Sequence, residues 1–355
     1  MNKIKLGDIL EIQPKSKIKA GEGITNGKYP FYTCSNELTK SINTSDYEGD
    51  ALIMGTGGMA SIHYERGKFS TSTDCLVYKS NKNVNLSLIN KYLRTNIYLL
   101  ENGFKGAGLR HISRDYISNI TIPLPERNLQ DKIVTELDLI EKTITNHNDV
   151  LKKYDTLIKS RFIEMFGDPV QNPMGWEVKK LGDICTKISD GVHAKPEYTA
   201  TGKPFISVVN INSGKLLFDD CKYVSEEAYE KMIKSTHPEK GDILYTKVGA
   251  TYGIPALVDT DRAFCLYVSV ALLKPKSEIV NSQFLTTSMA QPYIKNQADK
   301  RIKGIGVPDL HLNQIREFEV LVPPLELQNQ FNSFVQQIDK SKFEMAIYEK
   351  LWYNY

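Results

Sequence analysis

Lysines beside glycine-rich turns are the nearest thing in this 355-residue chain to a phosphate-binding device, and none completes a nucleotide motif. Gly21 and Gly27-Lys28 stand one position off the Gly-x-x-x-x-Gly-Lys-Ser/Thr spacing, and Tyr29 follows where a small hydroxyl residue would be needed. Gly106-Ala107-Gly108 and Gly304-Ile305-Gly306 begin a Gly-x-Gly-x-x-Gly pattern, but His111 and Asp309 occupy the third glycine position. The cofactor and Asn-Pro-Pro-Tyr-type motifs of adenine methyltransferases are absent. The six histidines are scattered singly, so a zinc site or hydrolytic triad would need long-range assembly. Cys34, Cys75, Cys185, Cys221 and Cys265 are odd in number and never spaced Cys-x-x-Cys. Metal and disulfide readings both fail, and a reducing cytoplasm is expected. What remains is cationic: Lys15-Ser16-Lys17-Ile18-Lys19, then Lys105 with Arg110, His111 and Arg114, then Lys300, Arg301 and Lys303. The missing motifs argue against a catalytic centre in this chain.

The elements carrying these residues occur twice. The segment from Lys105 to Gln130 recurs as Lys303 to Gln328, with both ends offset by 198 positions (303 − 105 and 328 − 130). Each copy runs from a Lys-Gly-x-Gly turn through a short apolar strand into proline and then a heptad helix. The opening Lys5-Leu6-Gly7-Asp8-Ile9 returns as Lys180-Leu181-Gly182-Asp183-Ile184. Two copies are too few for a solenoid, so two similar domains related by a pseudo-twofold axis are expected. Within each, short apolar runs broken by Gly, Asn and Ser mix with helical stretches, which reads as α+β. Strands are expected at residues 51–54, 75–78, 205–209, 242–245 and 265–273, and helices at 86–100, 226–234 and 282–297.

Between the copies, Ile133, Leu137, Ile140, Ile144, His147, Leu151, Tyr154 and Ile158 alternate by four and three residues, the seam of a coiled coil. A helix over residues 126–165 would be about 60 Å long at 1.5 Å per residue. Phe166-Gly167-Asp168-Pro169 ends it with a glycine cap and a proline. His147 is the one polar seam residue, a type that more often fixes register than binds a ligand. A second helix starts at Leu325 with Phe331, Val335, Ile338, Met345 and Trp352 on its stripe. The two stripes pair most economically with each other, and twofold symmetry makes them antiparallel.

Composition adds bounds. The chain is 41% hydrophobic and 25% charged, with a net charge of +3 too mild to identify a nucleic-acid binder by itself. The longest apolar run, residues 265–273, falls far short of the ~20 residues that span a bilayer. Met1-Asn2-Lys3 leads into a strand-like pattern without a signal-peptide core, so no membrane association is expected.

The order of these parts resembles the specificity (S) subunit of Type I restriction-modification systems over essentially the whole chain. The likeness rests on the duplicated Lys-Leu-Gly-Asp-Ile openings, the Gly49-Asp50-Ala51-Leu52 and Gly241-Asp242-Ile243-Leu244 strands, and the helix starts at Ile122-Pro123-Leu124-Pro125 and Val322-Pro323-Pro324-Leu325. The linker from Phe166-Gly167-Asp168-Pro169 to Gly175-Trp176 completes it. The resemblance implies two pseudo-twofold-related α/β target recognition domains separated by an antiparallel two-helix coiled coil. They would fall at residues 1–125 and 167–324, with spacer helices at 126–166 and 325–355. It further implies that each domain reads one half of a split, asymmetric double-stranded DNA target, with the helices as a ruler. Two methyltransferase subunits would dock there, and restriction/translocase subunits would join them. No cofactor is implied for this chain, since S-adenosylmethionine would be held by the partners during N6-adenine methylation. Two other readings stay open: a specificity subunit of a Type IIB-like enzyme, and a protein-binding scaffold.

On that resemblance, cations should meet phosphates and polar side chains should meet base edges. In the first unit the candidates are Lys15, Lys17 and Lys19 in the basic loop, and Thr56 and Gly57 in Met54-Gly55-Thr56-Gly57-Gly58-Met59. Lys105, Arg110 and His111 in the final turn join them. In the second they are His193, Lys195 and Tyr198, then Lys247, Thr251 and Tyr252, then Arg301 and Lys303. The competing readings are a solvated face for the lysine runs and fold-required turns for the glycines. Phe162, Phe166, Trp352 and Tyr353 are expected as exposed helix positions that contact partner subunits, against intramolecular packing.

Overall fold

An antiparallel strand pair ties each half of the chain back to its own beginning. Asn2–Lys5 pairs with Thr121–Leu124, and Glu177–Lys180 pairs with Glu319–Val322. The computed structural model describes residues 2–80, 82–302 and 306–353, with side chains described for 3–80, 82–302 and 306–345. Two units result, residues 1–146 and 147–355, divided within the first long helix.

In the first unit a four-stranded antiparallel sheet runs in the order Leu10–Ile12, Cys75–Ser80, Ala51–Gly55, Ile62–Glu65. Ala51–Gly55 is buried along its whole length, as a continuous apolar run flanked by two strands must be. A second sheet, Ser41–Ile42, Tyr29–Tyr32, Lys68–Thr71, Tyr47–Glu48, contains one parallel pair. The second unit rebuilds the first sheet as Cys185–Asp190, Val270–Pro275, Ile243–Thr246, Pro255–Leu257, and the other as Lys222–Val224, Lys203–Ile206, Cys265–Leu266. The α+β reading and the repeat hold in the element order of both units.

Four expected elements are divided; the stretch 205–209 is the end of the strand Lys203–Ile206 followed by a 3-10 turn at Val208–Asn210. The run 265–273 is two strands, Cys265–Leu266 and Val270–Pro275, because the chain turns at Tyr267 and the halves join different sheets. Both halves are buried, so the apolar run gave no sign of the bend. The helix expected over 282–297 is Ser282–Met289 followed by Pro292–Arg301, with Pro292 starting the second piece because it cannot donate inside a helix. The stretch 86–100 likewise divides into Leu86–Thr95 and Tyr98–Glu101.

The first long helix spans Arg127–Phe166, 40 residues or about 60 Å. Gly167 ends it at φ +77°, its N–H on the Ile163 carbonyl, and the Trp176 indole N–H donates to the Phe166 carbonyl at 2.9 Å. The second long helix is Leu325–Tyr353. Within the second unit the two run antiparallel: Phe162 packs on Phe331, ring centres 5.6 Å apart, while Lys342 reaches back to Asp155 at 2.7 Å. Phe331 and Val335 belong to that unit's main apolar core, and the partly buried Ile158 packs against it.

A glutamine fixes the start of each long helix to its own unit. The Gln130 carboxamide accepts from the Asn85 backbone N–H at 2.8 Å and donates to the Pro125 carbonyl at 2.8 Å. Gln328 accepts from Asn281 N–H at 2.8 Å and donates to Pro323 at 2.7 Å. Asn85 and Asn281 are in turn the N-caps of Leu86–Thr95 and Ser282–Met289. No helix among the described residues is long and apolar enough to cross a membrane.

Candidate nucleic-acid interface

In each unit four loops converge on one junction held by backbone hydrogen bonds. In the first unit, Thr73 N–H donates to Ile18, Thr56 N–H to Asp74, Ile112 N–H to Thr56, and Gly58 N–H to Arg110, at 2.8–3.1 Å. In the second, Val268 donates to Val192, Lys247 to Ser269, Leu310 to Lys247, and Gly249 to Pro308, at 2.9–3.0 Å. The bridges Gly57↔His111 and Val248↔Asp309 extend the correspondence. Backbone bonds need no particular side chain, so the junction can be kept while its surface is rewritten. Thr56 corresponds to Lys247, His111 to Asp309, Leu109 to Val307, and Met59 to Ala250.

The first junction gathers most of its sequence candidates. Lys15, Lys17 and Lys19 are exposed on the loop that leads to Ile18, and Ser16 between them anchors it by donating to Asp46 at 2.6 Å. Thr56 donates its hydroxyl to the Asp74 carbonyl at 2.8 Å, and a ring nitrogen of His111 lies 3.2 Å from the Thr56 carbonyl. Lys105 pairs with His111 through backbone, which leaves both side chains and that of Arg110 exposed. Cys34 lies beneath, its thiol 3.0 Å from the same Asp74 carbonyl. The Cys75 thiol and the backbone N–H groups of Gly57 and Thr56 stabilise its thiolate and hold its pKa down at about 6. The hydrogen bond to Cys34, followed by burial, pushes the Cys75 thiol upward.

The second junction departs from expectation at Lys247. Only 5% exposed, it is not the free surface cation expected: its ammonium lies 3.4 Å from Asp190 and 3.4 Å from Asp309. This expectation is corrected, because a lysine buried among two carboxylates ties loops together. His193 remains exposed 3.7 Å from Asp190. Tyr198 carries Lys222 over its ring at 4.4 Å and Lys195 at 5.8 Å. Thr251 is exposed, and Tyr252 donates to Asp299 at 2.5 Å beneath Lys295, itself ion-paired with Asp299. The Arg301 guanidinium donates to the Gln297 and Glu317 carbonyls and lies over Phe318, so it closes its helix end. Lys303 lies outside the described residues.

The expected exposure of Phe162 and Phe166 is also corrected. Both are buried, 3% and 0% exposed, in an aromatic cluster with Phe284 and Phe331, because the second unit uses that helix face as core. Trp352 and Tyr353 lie in the last helix, beyond the described side chains. The exposed large apolar positions described on the long helices include Leu139, Leu157, Ile163 and Phe343. Sequence reasoning missed Asp190 and Asp309 as the partners of Lys247, and Leu109 with Val307 as exposed apolar tips. The 198-residue offset could have found the last pair. Among the described residues no group of three or more His, Cys, Asp or Glu side chains could hold a metal ion.

Residues 1–153 and 173–351 match the family model described as the Type I restriction modification DNA specificity domain. The chain is 24% identical over 370 aligned positions to the Type I restriction enzyme MjaVIII specificity subunit of Methanocaldococcus jannaschii, covering 95% of this chain and 85% of that one. Among solved structures, the Type-I restriction-modification system S subunit from M. genitalium matches with a TM-score of 0.66 and 13% identity, over 99% of this chain and 94% of that one. A chain from a structure of complex assembly and conformational transition of the type I R-M system matches with a TM-score of 0.56 and 16% identity, over 98% and 93%. At such identities the two solved structures establish likeness of fold.

Proposed function

Because the chain belongs to the family of Type I restriction modification DNA specificity domains, we propose that each of its units reads one half of a bipartite, asymmetric duplex DNA target through its four-loop junction. The observation that carries this is the junction itself: four backbone hydrogen bonds repeated in both units under different side chains. Equal frames with unequal surfaces are what two different half-sites require.

Exposed cations supply phosphate contacts: Lys15, Lys17, Lys19, Lys105 and Arg110 in the first unit, and Lys195 with Lys222 in the second. Thr56, Gly57 and His111, with His193, Tyr198, Thr251 and Tyr252 opposite them in role, face the base edges. Lys303, the sequence counterpart of Lys105, joins the phosphate contacts. The chain itself is non-catalytic and acts in the cytoplasm. Two methyltransferase subunits dock on the long helices, where Leu139, Leu157, Ile163 and Phe343 are exposed, and restriction subunits join that assembly. The methyltransferases hold S-adenosylmethionine and flip the target adenine, and this chain decides which adenine they meet.

Single-molecule methylation sequencing of host DNA, with and without this gene, tests the proposal. A split N6-methyladenine motif that disappears on deletion is expected; a methylome unchanged by deletion while the methyltransferase is active would overturn it.

A further inference from the structure

In the first unit, Met59 and Leu109 are 72% and 79% exposed, at positions that follow Gly58 and precede Arg110 where those two residues hydrogen-bond across the junction. Continued outward by one position, the register of the Gly57↔His111 bridge and the Gly58–Arg110 hydrogen bond sets Met59 and Leu109 at opposed places on the two loops. Isolated exposed apolar residues are ordinary, but two on opposed loop positions, in the same stretch as the exposed Lys105, Arg110 and His111, are not. The second unit holds smaller residues at the corresponding positions, Ala250 and Val307, with Val307 74% exposed.

We propose that the Met59–Leu109 tip is a wedge that enters the DNA and unstacks one base step of the first half-site. The exposed cations of the same stretch, Lys105 and Arg110, hold the flanking phosphates. Leucine and methionine are side-chain types that wedge between base steps. The Ala250–Val307 tip is too small to do so and rests against the second half-site without insertion. A step unstacked by this chain would lower the cost of extruding an adjacent adenine for the partner methyltransferase. This inference rests on the reading of the junctions as DNA-facing.

The test uses the complex of the full chain with its methyltransferase partner, on duplexes carrying the site found by methylation sequencing. 2-Aminopurine replaces each adenine of the first half-site in turn. The wild-type complex should raise fluorescence at one step beyond the methylated adenine. Leu109→Ala should abolish that rise and weaken binding about tenfold, the scale of burying one leucine side chain. Val307→Ala should leave the rise intact. Leu109 is exposed, so an unchanged melting temperature will confirm that the variant folds. No rise with wild type, or a rise that survives in Leu109→Ala, overturns the wedge. Loss of methyltransferase assembly in Leu109→Ala overturns it in favour of a protein contact. Absence of sequence-specific binding by the wild-type complex would overturn the functional reading beneath it.

Discussion

Lys247 places its buried ammonium 3.4 Å from the carboxylate of Asp309, and the corresponding pair in the first unit is Thr56 and His111. One junction is therefore closed by charge and the other by neutral hydrogen bonds. Asp190, 15% exposed at its side chain, adds a third loop to the charged version. Lys247→Ala would leave two carboxylates facing each other without their cation. The expected cost is about 3 kcal/mol in chemical denaturation, with second half-site recognition impaired and the first retained. Thr56→Ala removes one neutral hydrogen bond and should cost about 1 kcal/mol.

The aromatic cluster around Phe331 should dominate the long-helix pairing. Phe331→Ala removes a fully buried ring from contact with Phe162 and Phe166 and should destabilise the second unit by roughly 3–5 kcal/mol. Lys342→Ala breaks its bond to the exposed Asp155 and should cost less than about 1 kcal/mol. Equal effects of the two substitutions in urea titrations would contradict this ranking.

Gln130 and Gln328 should govern local opening where each long helix begins. Gln328→Ala orphans the Asn281 N–H and the Pro323 carbonyl and should cost roughly 1–3 kcal/mol. Hydrogen exchange reads this directly: protection of the Asn281 amide should fall in Gln328→Ala, and that of Asn85 in Gln130→Ala, with the other unit unaffected in each case.

Much of this frame was legible in the sequence, and the illegible part has a definite cause. The 198-residue offset holds from Lys105 and Lys303 onward, but Leu6 and Leu181 differ by only 175 positions and Thr56 and Lys247 by 191. Insertions accumulate in the second unit before the offset settles, so the loops that meet at the junction do not align by simple translation. The long helix, expected at 126–165, lies at Arg127–Phe166 because heptad spacing and a glycine-proline stop are local signals. The burial of Lys247 depends on Asp190 and Asp309, 57 and 62 residues away, which no local pattern announces. Phe162 and Phe166 misled for the same reason, since an aromatic on a helix does not say which surface covers it.

Cys34 should be the first cysteine to react. Cys75, Cys185, Cys221 and Cys265 are buried, while Cys34 is half-buried with its thiol held down at about pH 6. Thiolate is the reactive form. Its iodoacetamide rate should therefore rise as pH passes upward through about 6 and level off above 7, where an ordinary thiol is still mostly protonated. Peptide mapping by mass spectrometry follows it. Because Cys34 and Thr56 share the Asp74 carbonyl, modification should weaken recognition of the first half-site alone.

The claim that each unit reads one half-site is tested most directly by a hybrid chain. Residues 3–120 would be replaced with the matching segment of a family member of different specificity, and the host methylome sequenced with the partner methyltransferase present. A new split motif is expected in which one half has changed and the other is retained base for base. A motif in which both halves change together, or in which neither changes, would contradict it.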